Sequence, residues 1–532
     1  MPLKSFWFWA ALSIALFTLA PVAVVFTYYG SPENEIWRHM KSTVLPEYVA
    51  HTLFLVCGVG VGTALIGVSL AWLTAVCEFP GRRFFSWALM LPLALPAYVT
   101  GFVLIGLLDF TGPLQTLLRE QFGLSGFPPI RSGGGVVLAM TLALYPYVYL
   151  LARNAFLTQG RRALEAAQSL GLSRRRGFFR VALPMARPWI VGGVSLVIME
   201  TLADFGTVAI FNYDTFTTGI YKAWFSLFSL PAAAQLASLL ILAVFALLLI
   251  EQYSRSRMRY TATGRASGNT RFVLSGSAKW LAVAICTLVW LAAFVVPVVS
   301  LGYWAWQVFA QDFDQRYLGY FAHSLLLGAL AAALCTWVAL WLAYAGRQQR
   351  DFSMRLMTRL ATLGYAVPGA VLAIGSYSLI AWVDNHYIAW MESLGASSGP
   401  LLQGTIVAML AAYLARFLTV AHQPVEAAMQ RVTYSMDDAA RSLGLSAIQV
   451  LRRVHLPVMR GGMLTAALLV FVDVMKQMPI TLMTRPFGWD TLATRIFEMT
   501  SEGEWERAAL PAVGLVIAGL LPVLLLVKHS EK

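Results

Sequence analysis

Residues 165–184 read EAAQSLGLSRRRGFFRVALP, and residues 438–457 read DAARSLGLSAIQVLRRVHLP. The two stretches lie 273 residues apart, and Ala-Ala, Ser-Leu-Gly-Leu-Ser and Leu-Pro recur without a gap. Both are polar, basic islands in an apolar chain. Local chemistry predicts two short helices in each copy. Gly171 and Gly444 suit the residue after a helix end, where a left-handed backbone favours glycine. Ser173 and Ser446 suit the N-cap of the next helix, and Pro184 and Pro457 end it. Ala166-Ala167 and Ala439-Ala440 form a small-residue face open to close approach by another protein's backbone. Glu165 and Asp438 put a carboxylate at its edge. A plain polar loop has no reason to keep such spacing twice, so the stretch reads as a docking element.

The surrounding chain has 532 residues with 12% charged and a mean hydropathy of +0.67. Soluble domains carry about 25% charged residues. Apolar runs at 6–28, 52–77, 85–108, 134–152, 188–211, 230–250, 280–302, 323–345, 360–382, 402–421, 461–483 and 508–527 each approach or exceed the ~20 residues of a spanning helix. Helices are the form such runs take in lipid, because every backbone group must bond internally. The expected fold is therefore an all-α integral membrane protein with about twelve transmembrane helices. The first run, 6–28, is long for a signal peptide and is read as a retained helix.

With the N-terminus placed in the cytoplasm, 28 of the 39 Lys and Arg residues fall in inside loops and 8 in outside loops. This asymmetry orients the chain with both termini and both repeated stretches in the cytoplasm. It also accounts for the net charge of +13 without a nucleic-acid partner. The four cysteines form no CxxC pair, so neither a zinc site nor a disulfide framework is indicated.

The repeat extends beyond the opening stretches. His51-Thr52-Leu53 matches His323-Ser324-Leu325, Leu70-Ala71-Trp72 matches Leu342-Ala343-Tyr344, and Pro96-Ala97 matches Pro368-Gly369. Two six-helix halves follow, residues 1–252 with loop 161–187 and residues 280–532 with loop 431–460. A polar linker at 253–279, rich in Arg, Ser, Gly and Thr, is read as a flexible cytoplasmic connector. Six spans is an even number, so the halves are parallel repeats about an axis along the membrane normal, with a central path between them.

Ionisable residues inside spans are functional candidates. Glu200 and Asp204 lie one turn apart in the fifth span. Asp473, Lys476, Gln477 and Pro479 lie in the matching span of the second half, Glu200 aligning with Asp473 and Asp204 with Gln477. They line a path or gate, or Lys476 pairs with Glu200 or Asp204 and holds the halves together. Arg416 reads as a local partner or a snorkelling residue.

The opening stretches resemble the EAA loop of ABC importer permeases: Glu-Ala-Ala, Gly six residues after Glu, and a late Leu-Pro. The resemblance covers nearly the whole chain and implies the type I ABC importer permease fold. It implies that Glu165, Ala166, Ala167 and Gly171, with Asp438, Ala439, Ala440 and Gly444, dock an ATP-binding subunit. Asp438 departs from the usual Glu but keeps its charge. It also implies that the fifth helix of each half lines the translocation path. The chain has no GxxxxGK[ST] phosphate loop, so ATP is used by a separate subunit, in two copies, and no cofactor is bound here.

Residues 201–224, TLADFGTVAIFNYDTFTTGIYKAW, and 476–499, KQMPITLMTRPFGWDTLATRIFEM, resemble the fused two-half permeases for ferric iron. In that family the second phrase begins Lys-Glu-Leu-Pro. Gln477-Met478 stands here instead, with one carboxylate fewer. Carboxylates suit a hard trivalent cation. The resemblance implies a periplasmic ferric-binding protein as partner and the bacterial inner membrane as location. Fused thiamine permeases share the architecture, and polyamine and phosphonate permeases share the EAA loops. A secondary transporter also has two parallel halves, but two EAA loops have no place in it. Enzyme chemistry is not indicated: no HExxH or other ligand spacing occurs. The two loops differ in one respect, Arg174-Arg175-Arg176 facing Ala447-Ile448-Gln449.

Overall fold

The computed structural model describes residues 6–30, 35–123, 128–160, 173–256, 271–349 and 351–530. The first half runs α1 (Phe6–Thr27), α2 (Leu45–Val76), α3 (Arg82–Ala88), α4 (Ala97–Leu108), α5 (Gly133–Ala155), α6 (Leu183–Ala203), α7 (Gly206–Ile210), α8 (Phe216–Tyr221) and α9 (Leu230–Ser256). The second runs α10 (Ser277–Asp312), α11 (Gln315–Gln348), α12 (Phe352–Ala361), α13 (Gly369–Ser393), α14 (Ile406–Met429), α15 (Tyr434–Ser442), α16 (Leu456–Lys476), α17 (Pro479–Thr484), α18 (Leu492–Ser501) and α19 (Trp505–Ser530). Ten helices among the described residues are long and apolar enough to span a bilayer, and α12 with α13 forms an eleventh that bends by 114°. The expected span at 508–527 lies within α19.

Four expected spans are broken rather than continuous. Pro96 and Pro368 divide two of them, with φ/ψ of −60°/145° and −55°/142°. Proline lacks the N–H that a continuing helix needs, so the chain turns there. The other two breaks follow Ala203 and Lys476, where Asp204 and Gln477 take extended ψ values of 133° and 107°. Asp204 then accepts hydrogen bonds from Thr207 Oγ1 at 2.9 Å and Val208 N at 3.1 Å. Its carboxylate starts α7 instead of continuing α6. Pro184 and Pro457, expected to end a helix, instead lie in the first turn of α6 and α16. A π-helical turn precedes each, Phe178–Ala182 and Leu451–His455. Its wider ring carries the chain past the proline without ending the helix.

The halves repeat in detail. His51 Nδ1 donates to the Asp214 carbonyl at 2.8 Å and His323 Nδ1 to the Asp490 carbonyl at 3.1 Å. Each ring stacks on an aromatic neighbour, Tyr213 or Trp489. Thr215 with Thr218, and Thr491 with Thr494, form reciprocal capping boxes at the starts of α8 and α18. These capping pairs fix the loops that return each half toward its second helix.

As packed bodies, however, the halves exchange their first helices. The α1 helix lies mainly against α11, α12, α13 and α14, while α10, packed chiefly on α19 of its own half, also reaches α3, α4 and α5. The Trp7 ring lies 5.8 Å from the Trp341 ring, tilted against it, and meets Tyr344 edge-on at 4.9 Å. One apolar core accordingly joins residues of α2, α4 and α5 to Leu301 and Trp304 of α10. The other joins Phe8, Ala11 and Val25 of α1 to α11, α13 and α14. The described end of the linker is also tied down. Phe272–Val273 (β2) pairs in parallel with Cys77–Glu78 (β1), and Arg271 lies 3.5 Å from Glu78.

Close approach makes the exchange possible at Gly375, where an added Cβ would overlap the Pro21 carbonyl oxygen of α1. At Gly106 an added Cβ would meet only the Trp304 ring, at 2.7 Å. A backbone oxygen cannot swing aside as a ring can. Gly375→Ala should therefore destabilise by about 1–3 kcal/mol, the usual range for overpacking, and by more than Gly106→Ala. Thermal unfolding of the two variants, with cysteine cross-linking of α1 to α11 through substituted Trp7 and Trp341, checks the order.

Candidate functional site

The two broken helices of each half bring their ends to one place between the halves. A cavity of about 180 Å³ lies there, walled by the ends of α6 and α16, the start of α4 and Tyr365 of the turn that precedes α13. All six residues singled out as intramembrane candidates line it: Glu200, Asp204, Asp473, Lys476, Gln477 and Pro479. Non-helical backbone at membrane depth is tolerated where it lines a cavity.

Contacts inside the cavity cross between the halves. Lys476 Nζ donates to the Leu93 carbonyl at 3.0 Å, and Tyr365 OH donates to Glu200 Oε1 at 3.4 Å. Among the described residues, no ion pair joins Lys476 to Glu200, Asp204 or Asp473. The lysine is held by a carbonyl, Asp204 by its cap on α7 and Glu200 by Tyr365. Arg416 also lines it, donating to the Val367 carbonyl at 2.5 Å. Three carboxylates thus face two cations around a space that holds a few waters or a small ion. Among the described residues no group of three acidic, His or Cys side chains converges as a metal site. Tyr147 and Tyr365, which also line the cavity, carry no charge, and a search for ionisable residues in spans passes them by.

The second region is the repeated loop. Glu165, Ala166, Ala167 and Gly171 of the first copy lie outside the described residues. In the second copy, α15 ends in a Schellman turn. Gly444 has φ 80°, and Leu445 N bonds back to the Ala440 carbonyl at 3.2 Å. This is the conformation its glycine predicts. Asp438, Ala439 and Gly444 are exposed, with Leu443, Tyr434 and Met436 beside them, whereas Ala440 is buried.

The inner face of α15 is held by a clamp that the repeat pattern did not single out. Asp437 Oδ2 lies 2.7 Å from Arg347 Nη2 of α11, and its Oδ1 lies 2.7 Å from His455 Nε2, just before α16. Arg347 also donates to the Val432 carbonyl at 2.7 Å, and its guanidinium lies 4.5 Å from the centre of the Tyr434 ring. Burial pushes the Asp437 carboxyl up, but hydrogen bonds from Arg347 and His455 and their charges bring it below the usual range. A signal did exist in the sequence. The matching residues of the first half, Leu164, Ala75 and Ala182, are all apolar.

Residues 64–260 and 324–532 each match the family described as binding-protein-dependent transport system inner membrane component. The Fe(3+)-transport system permease protein FbpB 2 of Haemophilus influenzae is 28% identical over 536 residues, 99% of both chains. The ferric transport system permease protein FbpB of Actinobacillus pleuropneumoniae is 23% identical over 87% of this chain and 69% of its own. The molybdenum transport system permease protein ModB of Escherichia coli is 33% identical over 36% of this chain and 84% of its own.

Asp437→Asn removes the counter-charge from Arg347, whose side chain is 6% exposed. Breaking a buried pair on one side costs roughly 3–5 kcal/mol, so α15 should become protease-sensitive at Arg441. The depressed folded pKa means that the Asp437 contribution is complete above the ordinary value of about 3.9. It is lost as pH falls through the lower folded value. Unfolding measured from pH 6 down to pH 3 should show this loss in the parent and a flatter profile in Asp437→Asn.

Proposed function

The chain belongs to the family of inner membrane components of binding-protein-dependent transport systems, and on that premise we propose that it forms the path for ferric iron in an ATP-driven importer. The observation that carries this reading is the convergence of six residues, four of them matched in pairs between the halves, on one cavity at their interface. Two further features support iron as cargo. A relative named as an Fe(3+)-transport permease aligns over 99% of both chains. The cavity, at about 180 Å³, is smaller than the ~300–1,000 Å³ of sites for drug-sized organic ligands, which disfavours thiamine. Carboxylate oxygens are the donors a hard cation prefers. Their failure to converge as a coordination shell suits passage, since conduction needs binding weak enough to leave.

In this reading residues 1–252 and 280–532 are the two permease halves, joined by the linker at 253–279. Both termini and both loops face the cytoplasm of a bacterial inner membrane. Two copies of an ATP-binding subunit dock on the loops, one against Glu165, Ala166, Ala167 and Gly171, the other on the exposed face of α15 around Asp438, Ala439 and Gly444, with Ala440 packed beneath. A periplasmic ferric-binding protein delivers cargo to the opposite face. The clamp supplies the mechanical link. Asp437 joins the docking helix to His455, and α16 runs from there for 21 residues to Lys476. That is roughly 30 Å of rigid helix at 1.5 Å per residue, so a push at the loop moves the cavity wall.

Reconstitution with the ATP-binding subunit and ferric-binding protein tests the proposal. Glu200→Gln with Asp204→Asn should slow ferric uptake on the order of tenfold, about 1.4 kcal/mol in barrier, with assembly intact. Gly444→Val, forced into a left-handed backbone, should instead lower ATPase retention on the membrane. ATPase activity stimulated by thiamine and its binding protein, but not by loaded ferric-binding protein, would refute the cargo. Uptake unchanged in the carboxylate variant would refute the path.

A further inference from the structure

A second, larger cavity of about 680 Å³ opens between α11, α12 and α14 of the second half. Nothing in the transport path accounts for it. Its existence follows from two matched substitutions, Tyr149 to His422 and Thr74 to Gly346. In the first half Tyr149 is fully buried, and its hydroxyl bonds Thr74 Oγ1 at 3.0 Å and the Ser86 carbonyl at 3.1 Å. The second half has His422, Gly346 and Thr358 at the matching places, and all three line the cavity. A phenol fills the space in one half. A shorter imidazole beside a glycine leaves it open in the other.

The wall is polar and basic. Arg355 and Arg359 project from α12, and Arg359 stands where the first half has Trp87. Among the described residues neither arginine has a carboxylate within ion-pairing distance. His422 is 4% exposed, and neither ring nitrogen completes a hydrogen bond. Glu426 contributes the opposing charge, 3.4 Å from His422 Nε2. Arg347 is already matched by Asp437. Two unpaired guanidinium groups therefore outweigh one carboxylate. Beside the arginines on α12, Phe352 is 73% exposed and Leu356 40% exposed. That pairing of an apolar stripe with a basic one is the pattern of a helix lying at a membrane surface.

We propose that this cavity binds a phosphate-bearing anion, the headgroup of an anionic phospholipid, in the second half alone. Guanidinium groups bind phosphate oxygens through paired N–H donors. Basic pockets between spanning helices take anionic headgroups on the cytoplasmic side. The membrane face rests on the orientation proposed above; the chemistry of the site does not. Arg347 belongs both to this wall and to the clamp on α15, so occupancy bears on the docking loop directly.

Thermal unfolding of the purified full chain, titrated with dioleoylphosphatidylglycerol, dioleoylphosphatidylcholine or inorganic phosphate, tests the site. Phosphatidylglycerol should raise Tm saturably and phosphatidylcholine should not. Arg355→Gln with Arg359→Gln should weaken the apparent affinity by roughly thirtyfold, the loss of two cations near an anionic headgroup. His422→Tyr with Gly346→Thr restores the first half's packing and should abolish the response. A saturable shift from inorganic phosphate that vanishes in both variants would keep the site and identify a free anion as its occupant. Equal responses to the two lipids, no response to any probe, or a response unchanged in both variants would overturn the proposal. None of these outcomes depends on iron transport.

Discussion

Backbone hydrogen bonding in hydrocarbon is the constraint on which the rest depends. A helix satisfies its own N–H and C=O groups, so a chain in lipid breaks one only where something else supplies partners. Here the breaks occur at four places in two matched pairs, Pro96 with Pro368 and Asp204 with Gln477. Pro96, Asp204 and Gln477 line one cavity, and Tyr365, just before Pro368, lines it too. Thr217 Oγ1 donates to the Asp204 carbonyl at 2.6 Å, and Thr481 Oγ1 to the Gln477 carbonyl at 2.5 Å. Threonine hydroxyls thus satisfy the carbonyls that the interrupted helices leave bare. The polar centre of the molecule is a consequence of where helices are allowed to stop.

Much of the architecture was legible because it depends on local chemistry. Apolar runs placed the spans, the repeat divided the chain, and Gly444 foretold a left-handed turn. What escaped was decided by distant partners. Hydropathy averages a window, and a single Asp204 that caps the next helix vanishes in that average. Proline looked like a helix terminator at 184 and 457, but a π turn upstream absorbed it. The exchange of α1 and α10 left no local trace. Both are long apolar spans like the others, and the glycine that receives α1 sits in another half of the sequence. At the cavity, charge was easy to spot and Tyr147 and Tyr365 were not, since neutral aromatics in spans are commonplace. The Asp437 clamp was available only to a comparison of the two copies, residue by residue, for polarity gained.

That comparison shows two halves of unequal character. The first packs Ala75 and Ala182 where the second has Arg347 and His455. The first fills a space with Tyr149, and the second opens it around His422. Both differences sit near the loop end of the second half, where α11, α14, α15 and α16 meet. Around the central cavity the backbone breaks after Ala203 and Lys476 are matched, but both cations, Lys476 and Arg416, come from the second half and two of the three carboxylates from the first. The halves thus share backbone geometry at the core while their charges differ both there and at the periphery.

The exchanged first helix also sets a timetable. The α1 helix leaves the ribosome well before the second half, yet its Trp7 packs against Trp341, more than 330 residues later. At ~5–20 residues synthesised per second, its partners arrive roughly 20–70 s after it does. Through that interval α1 must sit in lipid without them. Its mean hydropathy of 2.2 and lack of charged residues suit a segment that is stable alone in a bilayer. The helix is equipped to wait, and the second half assembles around a strut already in place.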